Sequence, residues 1–342
     1  MHHYSVHGGF VLENEITFNK IFLQMMAFGG KLGVDIFVII SGYFLINEGF
    51  KLRKLLKLMA QMWLYSIGLL VLVLLFDVHS PGFKDIVKAI LPFGMLSWFA
   101  YAYFVLYLIF PFENVLLKNL DRKKYLLMLV LGFILWFAIP TFTKISMQFS
   151  ILILFGYLYA VGAYIRIYHE KSVFRNALKI SALGYAIYLF LSIILDLLAL
   201  KYDYFIKRAF YFTNDKSVFI LIVAIGLLLY FKSLKMKYNK FINLIAATTF
   251  GIYLLHDNDF VRKFLWHNIF KNYLYYDSNF LVFYAVFAVI SVFIVCGIID
   301  YLRLTFIEKP LFKYLNPKID NLETKLRAKL DIIFERIIQK TV

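Results

Sequence analysis

Apolar stretches of roughly 20 residues recur along this chain with short polar breaks between them. They fall at about 28 to 47, 54 to 77, 96 to 117, 124 to 140, 147 to 165, 177 to 200, 217 to 231, 241 to 256 and 280 to 302. A hydrocarbon layer about 30 Å thick is crossed by about 20 helical residues, and a helix satisfies its own backbone amides there. The recurring length therefore predicts an all-α fold, a polytopic transmembrane helix bundle of about nine spans. The eighth is the weakest, because Asn243, Thr248 and Thr249 dilute it, and it reads equally well as a half-buried or re-entrant helix. With 62% hydrophobic and 17% charged residues, little of the 342-residue chain remains for a soluble domain. Cys296, the one cysteine, sits in an apolar run without a partner, so neither a disulfide framework nor a cysteine-ligated metal is expected.

The breaks carry an orientation signal. Alternate connections, beginning with 48 to 57 and ending beyond 302, hold 25 of the 37 lysines and arginines, and the opposite set holds 12. Positive charge is retained on the cytoplasmic side. The first set is therefore read as cytoplasmic, with residues 1 to 27 outside and a cell-membrane protein with a cytoplasmic C-terminus. The net charge of +16 then reflects topology and anionic membrane lipid, and no nucleic acid partner is expected. The first residues lack the basic and apolar pattern of a signal peptide, so an outside N-terminus calls for a further helix upstream of Met1. At the other end, Leu322, Leu326, Leu330, Ile333 and Ile337 share one helical face among Lys325, Arg327, Lys329 and Arg336, the pattern of an amphipathic helix on the membrane surface.

Polar groups inside or beside the apolar runs are the candidates for chemistry. His2 and His3 stand out, since a neutral imidazole takes a hydroxyl proton near neutral pH; an interfacial histidine pair is the plainer alternative. Asp35 lies near the outer end of its span and either orients an imidazole or caps a helix. Ser41 and Gly42, deeper in the same run, read as close helix packing. Arg53, Lys54 and Lys57 follow at one membrane face, with Arg53 and Lys57 on one side of a helix. They serve as positive-inside anchors or as a phosphate site. Trp98, Tyr101, Tyr103 and Tyr107, with Pro111, Glu113 and Asn114, form either an interfacial aromatic belt or a sugar-binding face. His256, next to Asp257, closes the eighth run at the outer side, either as a satisfied interfacial histidine or as part of the site. His7, His79, His169 and His267 read as loop residues without an assigned role.

Four of these stretches occur in an order and spacing that resembles the acyltransferase 3 family, specifically its polysaccharide O-acetyltransferases. They are His2-His3, Gly33 to Ile46 with Arg53 beyond it, Trp98 to Asn114, and Gly251 to His256 together with Ile307-Glu308-Lys309-Pro310. The resemblance implies ten helices, nine here and one before Met1, carrying a basic residue ten intervening positions ahead of the catalytic histidine. It implies a transmembrane acyltransferase domain over 1–308 and a cytoplasmic amphipathic tail over 309–342. It also implies that His3, or else His2, is the base, and that Arg53, Lys54 and Lys57 stand where relatives use arginines to hold the acyl donor. Lysine keeps the charge there but loses the planar fork. The expected activity is transfer of an acetyl group from cytoplasmic acetyl-CoA, a substrate rather than a bound cofactor, to a hydroxyl of a cell-surface or exported polysaccharide or lipid-linked glycan. Asp35 would hold the imidazole tautomer, and Trp98, Tyr103 and His256 would face the acceptor. A glycan or lipid-linked sugar transporter is the rival reading, although no internal repeat or matched pair of broken helices supports it.

Overall fold

The computed structural model describes residues 1–12, 14–76, 80–91, 98–143 and 150–341, and for residues 327 and 330–341 it describes the backbone alone. Among the described residues there is no strand. The helices are α1 (His2–His7), α2 (Phe18–Leu45), α3 (Leu52–Leu75), α4 (Phe83–Ile90), α5 (Trp98–Lys118), α6 (Arg122–Phe142), α7 (Ile151–His169), α8 (Ala177–Ala199), α9 (Val218–Ser233), α10 (Lys240–His256), α11 (Asp259–Lys263), α12 (Leu281–Leu302) and α13 (Lys309–Thr341). Among the described residues, eight helical segments are long and apolar enough to cross a membrane, and α10, at 17 residues, is a shorter apolar helix. Each of the nine expected spans thus has its helix, and the one diluted by Asn243, Thr248 and Thr249 is the short one. The expected span ends at 77, 96 and 147 lie outside the described residues, as does His79.

The helix α2 organises the bundle. It starts at Phe18, ten residues earlier than the apolar run, where the Thr17 hydroxyl accepts the Lys20 amide at 3.2 Å as an N-cap. The added turns carry Lys20 and Gln24, both buried. Asp196 of α8 partners both, pairing with Lys20 Nζ at 3.0 Å and accepting from Gln24 Nε2 at 2.8 Å. Lower down, α2 and α7 touch backbone to backbone. A Cβ on Gly42 would collide with the Tyr159 carbonyl, and a Cβ on Gly162 would collide with the Ile39 carbonyl. This reciprocal contact is the close approach that small residues allow between membrane helices. Ser41, beside Gly42, keeps its hydroxyl within α2, donating to Phe37 O at 2.8 Å. Asn114 of α5 completes the joint, donating to Leu45 O at 2.9 Å and accepting from the Tyr159 hydroxyl at 2.7 Å.

At the end of the bundle where α2 stops, α3 begins. Glu323 of α13 accepts the Leu52 amide at 2.9 Å, placing a carboxylate on the positive end of that helix. Asp300, fully buried at the end of α12, takes the Arg303 Nε at 2.7 Å and the hydroxyl of Tyr65. Arg303 also reaches Glu308 at 2.5 Å. Leu322 and Leu326 of α13 are exposed, as the amphipathic pattern requires, while Leu330, Ile333 and Ile337 lie outside the described side chains.

Candidate active site

Opposite the α3 end, the short helix α1 lies against α2 and brings its histidines to the C-terminus of α10. His2 is the anchor. Its Nδ1 hydrogen-bonds Ala27 O at 2.6 Å and its ring fills the space above Gly30, where a Cβ would collide with it. His3 turns the other way and meets His256, Nδ1 to Nε2, at 2.7 Å.

That contact sets the tautomers. His256 Nδ1 sits 2.6 Å from Ile252 O, and a carbonyl only accepts, so His256 Nδ1 carries the proton. In a neutral ring, His256 Nε2 is then a lone pair and must accept from His3 Nδ1–H. The lone pair of His3 is left on Nε2. Burial keeps this imidazole neutral, pushing its pKa well below the usual histidine range, and the neighbouring rings of His256, His2 and His7 act in the same direction.

The carboxylate facing His3 Nε2 is Asp257, with Oδ1 at 3.6 Å. Asp257 is itself buried, 5% exposed, and burial raises its pKa to about 6 against the opposing pull of Arg262, whose guanidinium lies 3.2 Å away. Arg262 also holds Asp259 at 2.7 Å. His7, one helical turn after His3, approaches the same Asp257 Oδ1 at 3.7 Å. The His7 carbonyl in turn contacts His267 Nε2 at 3.0 Å. Gly9, at φ +77°, has its backbone against the His267 ring, a conformation and a clearance that favour glycine.

Most of these groups line a cavity of about 810 Å³. Its polar end carries His2, His3, His7, His256, Asp257 and Arg262, and its walls run down past Gly33 and Val34 to Phe37, Phe250 and Phe293. Trp98 lines it as well, but Lys31 Nζ covers one face of the indole at 4.3 Å and is itself paired with Asp215. One ring face is thus taken by a cation.

Asp35 is not part of this arrangement. It is 1% exposed inside α2, makes no described contact with an imidazole, and leaves Oδ2 buried without a hydrogen-bond partner. Successive residues of α2 point to different sides, and the cavity takes Lys31, Gly33, Val34 and Phe37, so the structure does not bring Asp35 to the histidines. Tyr103 also lies outside the lining, packed against Phe37 at 4.8 Å with its hydroxyl 3.3 Å from Ser41 Oγ.

The basic patch occupies the far end. From Gly30 to Leu45 the α2 axis runs about 22 Å at 1.5 Å per residue, and α3 begins beyond it. Arg53 and Lys54 are exposed there. With Lys51, Arg53 borders a smaller recess of about 320 Å³ closed by Asp320, Glu323 and Thr324 of α13. Lys57 is engaged by Glu308 at 3.6 Å and lies over the Phe312 ring at 5.1 Å.

Sequence reasoning missed His7, Asp257 and Arg262 as members of the site, and Asp300 with Arg303 as a buried pair. The i,i+4 spacing of His3 and His7 is visible in the sequence, but a six-residue helix is too short for periodicity to reveal. No curated protein and no solved structure matches the chain. A family model described as an acyltransferase domain matches residues 1–301. It spans the helices that line the cavity and the α3 segment that carries Arg53, Lys54 and Lys57, up to the last residues of α12, and stops short of α13. The chain is therefore a membrane acyltransferase and belongs to the acyltransferase 3 family.

Proposed function

We propose that this enzyme moves an acetyl group from cytoplasmic acetyl-CoA to a hydroxyl of a cell-surface or exported polysaccharide, with His3 as the general base. The observation that carries the reading is the hydrogen-bond chain from Ile252 O through His256 to His3, which leaves the His3 Nε2 lone pair bordering the cavity. The acceptor hydroxyl gives its proton to Nε2 as its oxygen attacks the thioester carbonyl. The tetrahedral adduct then expels the CoA thiolate, which recovers the proton from the His3 imidazolium. Asp257, at 3.6 Å, supplies the counter-charge while the imidazolium exists. Acylation of His3 before transfer to the acceptor is chemically equivalent in its overall balance.

The donor's phosphates fit the Arg53, Lys54 and Lys57 end, where exposed cations suit charge-assisted hydrogen bonds. Placement of this patch and the histidine cavity at opposite ends of the bundle supports a donor entering from one side and an acceptor from the other. The distribution of basic residues makes the patch side cytoplasmic. Comparison of surface glycan from cells with and without the gene tests the reading. Acetyl ester content, measured by proton NMR of the isolated glycan, should fall when the gene is removed while glycan amount stays the same. Unchanged acetylation with a reduced amount of glycan would instead indicate transport.

A further inference from the structure

The meeting of His3, His7 and Asp257 has a property that the proposed mechanism does not use. One ligand atom from each of the three residues lies within 4.8 Å of the other two. Asp257 Oδ1 is 3.6 Å from His3 Nε2 and 3.7 Å from His7 Nε2. A tetrahedral zinc site with bonds of about 2.0–2.1 Å places neighbouring ligand atoms about 3.3–3.4 Å apart, so small side-chain rotations bring these atoms onto one ion. Two imidazoles four residues apart on a helix present one face, the spacing by which helices grip zinc.

We propose that His3 Nε2, His7 Nε2 and Asp257 Oδ1 form a binding site for a divalent transition metal such as Zn²⁺, and that the bound metal inhibits transfer by occupying the His3 lone pair.

Three further features fit a metal. His3 donates its other ring nitrogen to His256 at 2.7 Å, the outer-shell bond that orients a ligating imidazole. The ligand atoms border the 810 Å³ cavity, which leaves the fourth coordination position open to water. Arg262, which shares Asp257 Oδ1, keeps Asp259 at 2.7 Å as a second partner and is not stranded when Asp257 turns toward an ion. Two nitrogen donors and one carboxylate favour zinc or cobalt over magnesium, which prefers an all-oxygen shell.

Binding is independent of the proposed function; only the inhibitory consequence rests on His3 being the base. The test uses the full chain in detergent, stripped with a chelator and titrated with Zn²⁺ by calorimetry, with Mg²⁺ as control. One zinc per chain is expected, with His7→Ala and His7→Gln each weakening it by at least about 100-fold, as loss of a ligand should exceed the 10- to 100-fold cost of losing an outer-shell partner. Helical content and the metal-free melting temperature of both variants should match the wild type, which reports that they fold. Zinc that halts the wild type should leave each variant at its own metal-free rate. Absence of zinc binding above the His7 variants would overturn the site even if acetyl transfer proceeds, and stimulation by zinc would overturn the inhibitory role.

Discussion

Replacement of Asp257 by Asn tests the electrostatics of the site most closely. The wild-type carboxyl titrates near pH 6 because burial disfavours its charge. Below that pH it is protonated and the His3 imidazolium loses its counter-charge, so kcat/KM should fall about tenfold per pH unit below 6 and level off above it. His3 is held neutral by burial and does not produce this limb itself. A charge pair at 3.6 Å interacts by about 4.6 kcal/mol at an effective dielectric near 20, the setting for partly buried pairs. Arg262 already neutralises part of Asp257, so about 2–3 kcal/mol of it is expected to act on the imidazolium, a loss of roughly 10²-fold in rate. The assay is transfer from labelled acetyl-CoA between pH 5 and 8 in the presence of a chelator. The Asn variant should run about 10²-fold slower with a flat acid side. By linkage, a raised carboxyl pKa penalises the fold as pH rises from about 4 to about 6, so the variant should keep or gain thermal stability at pH 7. A wild-type limb centred near pH 4, or a limb that survives in the Asn variant, would refute the role given to Asp257.

Three other outcomes follow from the packing and the hydrogen bonds. His256→Phe keeps a ring but removes the acceptor for His3 Nδ1–H, so steady-state kinetics should show kcat down about 10²-fold with KM little changed. Gly42→Ala and Gly162→Ala drive a methyl group into a facing backbone carbonyl and should each lower stability in detergent by about 1–3 kcal/mol, whereas Gly33→Ala, mid-helix with open space around it, should hold or slightly raise the melting temperature. Arg53→Ala should raise the KM for acetyl-CoA several-fold at constant kcat, and Glu323→Gln, which weakens the carboxylate closure over Lys51 and Arg53, should lower it; a KM indifferent to both would remove the donor from this end.

The spans were legible in the sequence because membrane thickness imposes one length on every crossing helix, and even the short α10 was flagged by its own polar residues. The N-terminal extension of α2 was not legible. Lys20 and Gln24 resemble loop residues until Asp196, more than 170 positions away, is brought against them. The candidate site was legible in halves. His2, His3 and His256 were visible as polar groups at one membrane face, but which carboxylate meets them depends on the rotation of α2 about its axis. That rotation is set by the contact of Gly42 and Gly162 across α2 and α7, and it turns Asp35 away while the end of α10 delivers Asp257. A run apolar on all sides, as these spans are, carries no period from which rotation can be read.

The central claim is that His3 Nε2 takes the acceptor's proton. Purified enzyme in lipid nanodiscs, supplied with isotope-labelled acetyl-CoA and the cell's own glycan, measures it directly as labelled ester on the glycan. The wild type should form ester, and His3→Ala should lose at least about 10²-fold in rate, the usual contribution of a positioned base, while His2→Ala retains most of its activity. Equal ester formation by wild type and His3→Ala would contradict the account.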